Sequence, residues 1–147
     1  MPHDSLATLV KIRQLACDDA MRSLVLALDL ESQASQATHA IERAVAQQTE
    51  IASDPASPDA VVEAFGHWFL GARRQLEVAQ NGLQERQAET TRKRAELTAC
   101  RTALESVETL QKERRRSVEA ARAQKLQRDL DDRPQRRSGD GAARDEA

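Results

Sequence analysis

The residues with the widest chemical reach are three histidines, His3, His39 and His67, and two cysteines, Cys17 and Cys100. A metal centre needs such ligands clustered at short intervals, and these are scattered along the chain. The chain has no Gly-x-Ser-x-Gly elbow to present a nucleophile and no glycine-rich loop to cradle a phosphate. Cys17 and Cys100 fall on or beside apolar stripes, without metal or redox spacing, and read as small interior side chains. The expectation is a non-enzymatic chain with no catalytic residue, no metal and no cofactor.

Binding chemistry is better represented. All three aromatics, Phe65, Trp68 and Phe69, lie within five residues. A partly exposed Trp is a typical interface anchor. The other candidate is a basic run, Lys112-Glu113-Arg114-Arg115-Arg116, continuing to Lys125 and Arg128. Val118, Ala121, Leu126 and Leu130 give it a thin apolar stripe suited to an acidic or apolar partner. Nucleic acid is not expected as that partner. The basic segment follows the heptads, whereas basic-zipper proteins place it before them, and five acids between residues 112 and 137 dilute its field.

Long helices must carry these residues. Of 147 residues, 31% are charged and 2% aromatic, with no tyrosine. Apolar content made mostly of Ala and Leu among Glu, Gln and Arg is a coiled-coil composition. The fold class is therefore all-α, a long two-helix antiparallel coiled-coil hairpin. Two prolines within Ser53-Asp54-Pro55-Ala56-Ser57-Pro58-Asp59 break the chain. The boundaries predicted are a helix over about 5–52, a loop over 53–58, a helix over about 59–132 and a disordered tail over 133–147. Ser57 reads as an N-cap, with Pro58 as first helical residue. The short loop makes the helices antiparallel.

Spacings of seven mark the seams. In the first helix Leu6, Ala20, Ala27, Ala34 and Ile41 share one position. Leu9, Ala16, Leu30, Ala37, Ala44 and Ile51 share the companion position. In the second helix the series are Val62, Phe69, Leu76, Leu83, Leu97, Leu104, Val118 and Phe65, Ala72, Ala79, Cys100, Val107, Ala121. Thr90 and Gln111 interrupt the first of these, and Arg86, Lys93 and Arg114 the second. Folding about residues 56–57 sets Ile41 near Ala72, Ala27 near Arg86, Ala20 near Lys93 and Leu6 near Val107. Trp68 then lies beside the seam near Gln47 and Ala40. Arg86 and Lys93 form a weak mid-coil region whose long stems cover alanines. The first helix ends opposite residue 110 or so, leaving roughly 30 Å of basic helix projecting alone. Such a helix is marginal by itself in water and calls for a partner.

The charge is polarised in the same sense. Residues 1–60 sum to −5 and residues 112–137 to +5, although the whole chain carries −2. No apolar run approaches the ~18 residues of a membrane span. The N-terminus carries charges through its apolar stretch, unlike a signal peptide. Both absences point to the cytoplasm.

The opening LATLVKIRQLACDDAMRSLVLAL has a Leu-x-x-Leu-x-x-basic-x-x-Ala pattern, and ERRRSVEAARAQKLQRDLDDRPQRR closes the helical part. With the total length and the short central loop, these resemble the flagellar export protein FliJ and its YscO-like type III secretion counterparts. The resemblance implies a fold similar to the central-stalk γ subunit of rotary ATP synthases. It implies that the paired termini enter the hexameric ring of the export ATPase and that the middle of the hairpin contacts the export gate. It also implies contact with chaperones of export substrates.

On that resemblance Leu6, Leu9, Val10, Arg114, Arg115, Arg116 and Val118 are expected to meet the ring, and Phe65, Trp68 and Phe69 the gate. Some family members carry tyrosines on the gate-contacting surface. This chain has none, and Trp68 is the substitute expected there. The protein is expected to be cytoplasmic, peripheral to the membrane-embedded export apparatus, without membrane insertion, and monomeric when free. Two other readings stand beside this one. The first is a prefoldin-like holding chaperone or coiled-coil scaffold gripping clients at its tip. The second is a self-associating coil using the apolar stripe around Leu24, Val25 and Leu28.

Overall fold

The computed structural model describes residues 5–133. It contains two helices, α1 (Ser5–Ser53) and α2 (Asp59–Asp131), which pack against each other along α1. No strand occurs among the described residues. The predicted tail from Pro134 onward lies outside them. α1 runs one residue beyond its predicted end, and α2 stops one residue before its own.

The loop is tied down by its own polar groups. The backbone amide of Ala56 donates to Asp54 Oδ1 at 2.9 Å, and that of Ser57 to the Asp54 carbonyl at 2.9 Å. Ser57 does not cap α2. Its hydroxyl donates instead to the Ile51 carbonyl at 2.6 Å, satisfying an acceptor that the end of α1 leaves without a helical partner. Pro58 takes the N-cap place in extended conformation, φ −61° and ψ 148°, with no side-chain cap. Its carbonyl accepts from Val61 at 2.9 Å, and Asp59 puts a negative charge in the first turn, where the helix dipole favours it.

The seam is narrow. Its buried members are Leu24, Ala27 and Thr38 on α1 and Ala72, Thr90, Leu97 and Val107 on α2. The two series predicted for α2 are the observed ones over residues 65–111. Beyond them, Val62 and Val118, each placed in a series, are exposed. On α1 the series of Leu6, Ala20, Ala27, Ala34 and Ile41 is also observed. Its companion is observed only in part: Leu9, Ala16 and Ala44 are half-buried, but Ala37 is exposed. Leu30 and Ile51 are 40% and 50% exposed, while Val10, Cys17, Leu24, Glu31, Thr38, Val45 and Ala52 turn inward. By residue type the series with Leu30 and Ile51 is the more apolar. Pairing with α2 overrides that preference, because the small side chain of Thr38 lets the α2 backbone come close.

Thr38 fixes the register. Its hydroxyl lies 2.9 Å from the Ala34 carbonyl of its own helix and 3.4 Å from the Ala79 carbonyl of α2. Steps of seven from this pair set Val45 opposite Ala72 and Ala52 opposite Phe65. In the other direction they set Glu31 opposite Arg86, Leu24 opposite Lys93, Cys17 opposite Cys100 and Val10 opposite Val107. This register is four residues away from the one predicted by folding about residues 56–57. Ile41 meets Leu76 rather than Ala72, and Ala27 meets Thr90 rather than Arg86. Ala20 meets Leu97 rather than Lys93, and Leu6 meets Gln111 rather than Val107. The cause lies in the loop. Ser57 turns back to donate to the Ile51 carbonyl, and the first turn of α2 extends past the end of α1, with Ala52 level with Phe65.

Candidate functional site

Two ends of the hairpin carry the candidate residues. At the loop end, Phe65, Trp68 and Phe69 share one face because i, i+3 and i+4 positions are neighbours on a helix. Phe65 and Phe69 are half-buried with ring centroids 5.4 Å apart. Trp68 tilts 39° from Phe65 at 6.0 Å and is 40% exposed. With Gln48, Ile51, Ala64 and Val61 it lines an open groove of about 330 Å³. The register shift therefore places Trp68 beside Gln48 and Ile51 instead of Gln47 and Ala40. Aromatic rings with one face in the seam and one edge in water are adapted to hold an apolar side chain.

At the opposite end, Leu6, Leu9 and Val10 are half-buried, with Val10 opposite the buried Val107. The last half-buried position of α2 is Gln111. Every residue from Lys112 to Arg133 is exposed, including Arg114, Arg115, Arg116 and Val118. The helix continues to Asp131 and so projects about 30 Å beyond the end of α1, at ~1.5 Å per residue. Val118, Leu126 and Leu130 are exposed along it. The residues predicted to meet one partner thus form two adjoining zones. Leu6, Leu9 and Val10 edge the coil, and the arginines lie outside it on an exposed helix.

The middle of the hairpin carries a feature the sequence reading treated as a weak region. Lys93 lies between Glu89 at 3.7 Å and Glu96 at 3.2 Å, and Glu89 also pairs with Arg92. Arg86 and Lys93 border an open groove of about 470 Å³ with Ser23, Ala27 and Leu30 of α1. Arg86 and Ala27 border the same groove, although Ala27 lies level with Thr90 in the register. Thr90, named only as an interruption of a seam series, is 2% exposed, and its hydroxyl finds no hydrogen-bond partner.

Cys17 and Cys100 are both half-buried free thiols. The register sets them opposite one another across the seam. Desolvation raises the Cys17 pKa above that of an ordinary thiol, and the neighbouring Cys100 raises it further. Arg101 opposes these effects. The sequence reading took the two cysteines as separate, and only the correct register brings them together. Leu24, named for a self-association stripe, is buried in the seam, while Val25 and Leu28 remain exposed.

Among the described residues no three His, Cys, Asp or Glu side chains gather closely enough to hold a metal ion. His3 lies outside those residues, and His39 contacts Glu42 at 3.0 Å. No described helix is long and apolar enough to cross a membrane. The class defined by this geometry is an antiparallel two-helix coiled coil with unequal arms. Compared with models of protein families, with curated proteins and with solved structures, the chain has no match.

Proposed function

We propose that this protein is a cytoplasmic, non-enzymatic stalk of a flagellar type III export apparatus. In this reading the open end engages the hexameric export ATPase, and the tip, through Phe65, Trp68 and Phe69, engages the export gate or the chaperones of export substrates. The observation that carries the proposal is the polarity of the hairpin. An aromatic groove occupies one end, and an exposed basic helix from residue 112 to 131 extends from the other. A connector between two machines needs two unlike ends on one stiff rod, and a helix of this length is marginal alone. A positively charged projection also suits entry into an acidic ring opening. The resemblance of the two helical segments to the FliJ family supports the same reading.

The test is co-purification of the full chain with the export ATPase of the same organism, at low and at moderate salt. Association that survives Trp68→Ala and is lost on truncation after Leu110 is expected. Absence of association at both salt concentrations removes the proposal. One observation favours a second reading, a prefoldin-like holding chaperone or scaffold. The tip groove beside a half-exposed Trp68 would grip an unfolded apolar segment without any ring. There Trp68→Ala abolishes client holding and the truncation leaves it intact.

A further inference from the structure

We propose that Cys17 and Cys100 close a reversible disulfide that staples α1 to α2 near the open end of the hairpin, with a low-molecular-weight disulfide as oxidant. They are the only two cysteines of the chain. Cys17 stands three heptads from Thr38 on α1, and Cys100 stands three heptads from Ala79 on α2. They therefore repeat the relation of the one pair whose hydroxyl already reaches the opposite backbone. Both are half-buried rather than sealed. The register thus sets the two cysteines at facing positions of adjacent helices, the placement that a Cβ–Sγ–Sγ–Cβ bridge requires, and each thiol is near enough to influence the other's charge.

The exchange balances in two steps. One protein thiol loses its proton to solvent, and the thiolate attacks the small disulfide. The S–S bond of that reagent breaks, a mixed disulfide forms, and one small thiolate leaves and takes up a proton. The second cysteine, deprotonated in turn, attacks the protein sulfur of the mixed disulfide. The Sγ–Sγ bond forms and the second small thiol departs. Two protein thiols are oxidised by two electrons, and one small disulfide is reduced to two thiols. The bridge sits just inside the layers of Leu6 and Val10. The oxidised hairpin cannot splay at the end from which the basic helix projects, and the reduced one can.

The test uses the full-length chain treated with oxidised glutathione and then acid-quenched. The expected product is a monomer lighter by two hydrogens, with one proteolytic peptide pair linking Cys17 to Cys100, and dithiothreitol restores the starting mass. Its melting temperature rises by on the order of 10 °C, given the long loop closed between the two residues. Cys17→Ser stops at a stable mixed disulfide on Cys100, because no resolving thiol faces it. A wild-type chain that stays reduced, stops at mixed disulfides or links to a second chain overturns the inference.

Discussion

Thr38 of α1 shares its hydroxyl hydrogen between the Ala34 carbonyl of its own helix and the Ala79 carbonyl of α2, at 2.9 and 3.4 Å. Thr90, equally deep in the seam, has no partner for its own hydroxyl. The two threonines are thus a matched pair that differs in satisfaction. A buried hydroxyl without a partner carries an uncompensated desolvation cost of about 1–3 kcal/mol. Thr90→Val removes that cost at nearly constant volume and is expected to stabilise the hairpin by about 1 kcal/mol. Thr38→Val gives up the cross-helix contact and is expected to be neutral or destabilising by up to about 1 kcal/mol. Urea titrations followed by circular dichroism compare the two. A larger gain from Thr38→Val than from Thr90→Val contradicts the assignment.

Much of this architecture is legible in the sequence. Pro55 and Pro58 forbid helix between the two arms, and the large residues Phe69, Leu76, Leu83, Leu97 and Leu104 mark one α2 seam without ambiguity. The α1 seam is harder to read, because alanines fill it and the larger Leu30 and Ile51 lie outside it. Seven-residue periodicity does not reveal axial offset either. A shift of four residues exchanges one seam series for the other and leaves the pattern intact. That offset depends on Ser57 folding back onto Ile51, a matter of loop conformation. With the offset four residues away, Cys17 and Cys100 look unrelated. The tip aromatics and the basic projection depend only on their position along the chain, so they survive the correction.

Gly66, Gly71 and Gly82 interrupt α2 without a packing reason. A Cβ built on any of them meets nothing within 4 Å. Their cost is the backbone entropy lost by glycine in a helix, about 0.5–1 kcal/mol relative to alanine. Each Gly→Ala substitution is expected to raise stability by roughly that amount. The three should add, since each stands in open space. A loss of stability at any one would reveal a close approach, and thermal melts of the single and triple variants decide the matter.

The Ser57 hydroxyl is the only side-chain group seen to join the loop to the end of α1 at a distance as short as 2.6 Å, among the described residues. Ser57→Ala leaves the Ile51 carbonyl to water and frees the turn that sets the register. A loss of about 1 kcal/mol is expected. The register-dependent readout is sharper. A nitroxide pair on exposed positions of the two arms should show a broader distance distribution in Ser57→Ala than in wild type. An unchanged distribution would mean that the seam alone holds the offset.

The projecting helix is the least protected helical segment. Among the described residues every position from Lys112 onward is exposed, and local opening there needs no seam contacts to break. Limited trypsin treatment is expected to cut first between Arg114 and Arg128. Arg13 and Lys93, within the paired region, should be cut later. Mass spectrometry of early fragments orders the sites. Earliest cleavage inside the paired region would show the projection to be covered, as by a second copy of the chain. Protection of the same sites on adding a partner would map its footprint.

Cys17 gives the pH prediction with a definite sign. Desolvation, then the nearby Cys100, raises its pKa above that of an unfolded-chain thiol, while Arg101 opposes the shift and Asp18 adds to it. At any given pH it therefore holds less thiolate than a free thiol, and iodoacetamide should modify it more slowly than the same cysteine in urea. The linkage runs the same way. The folded state binds the thiol proton more tightly, so the associated stability is present below the unfolded-state pKa. It is lost as pH rises through the folded-state value. Alkaline titration should thus weaken the wild-type hairpin more steeply than Cys17→Ser. The contrast should vanish once the two cysteines are joined, because a disulfide has no proton to lose. Parallel pH–stability curves for wild type and Cys17→Ser would show that the thiol is not held above its ordinary range.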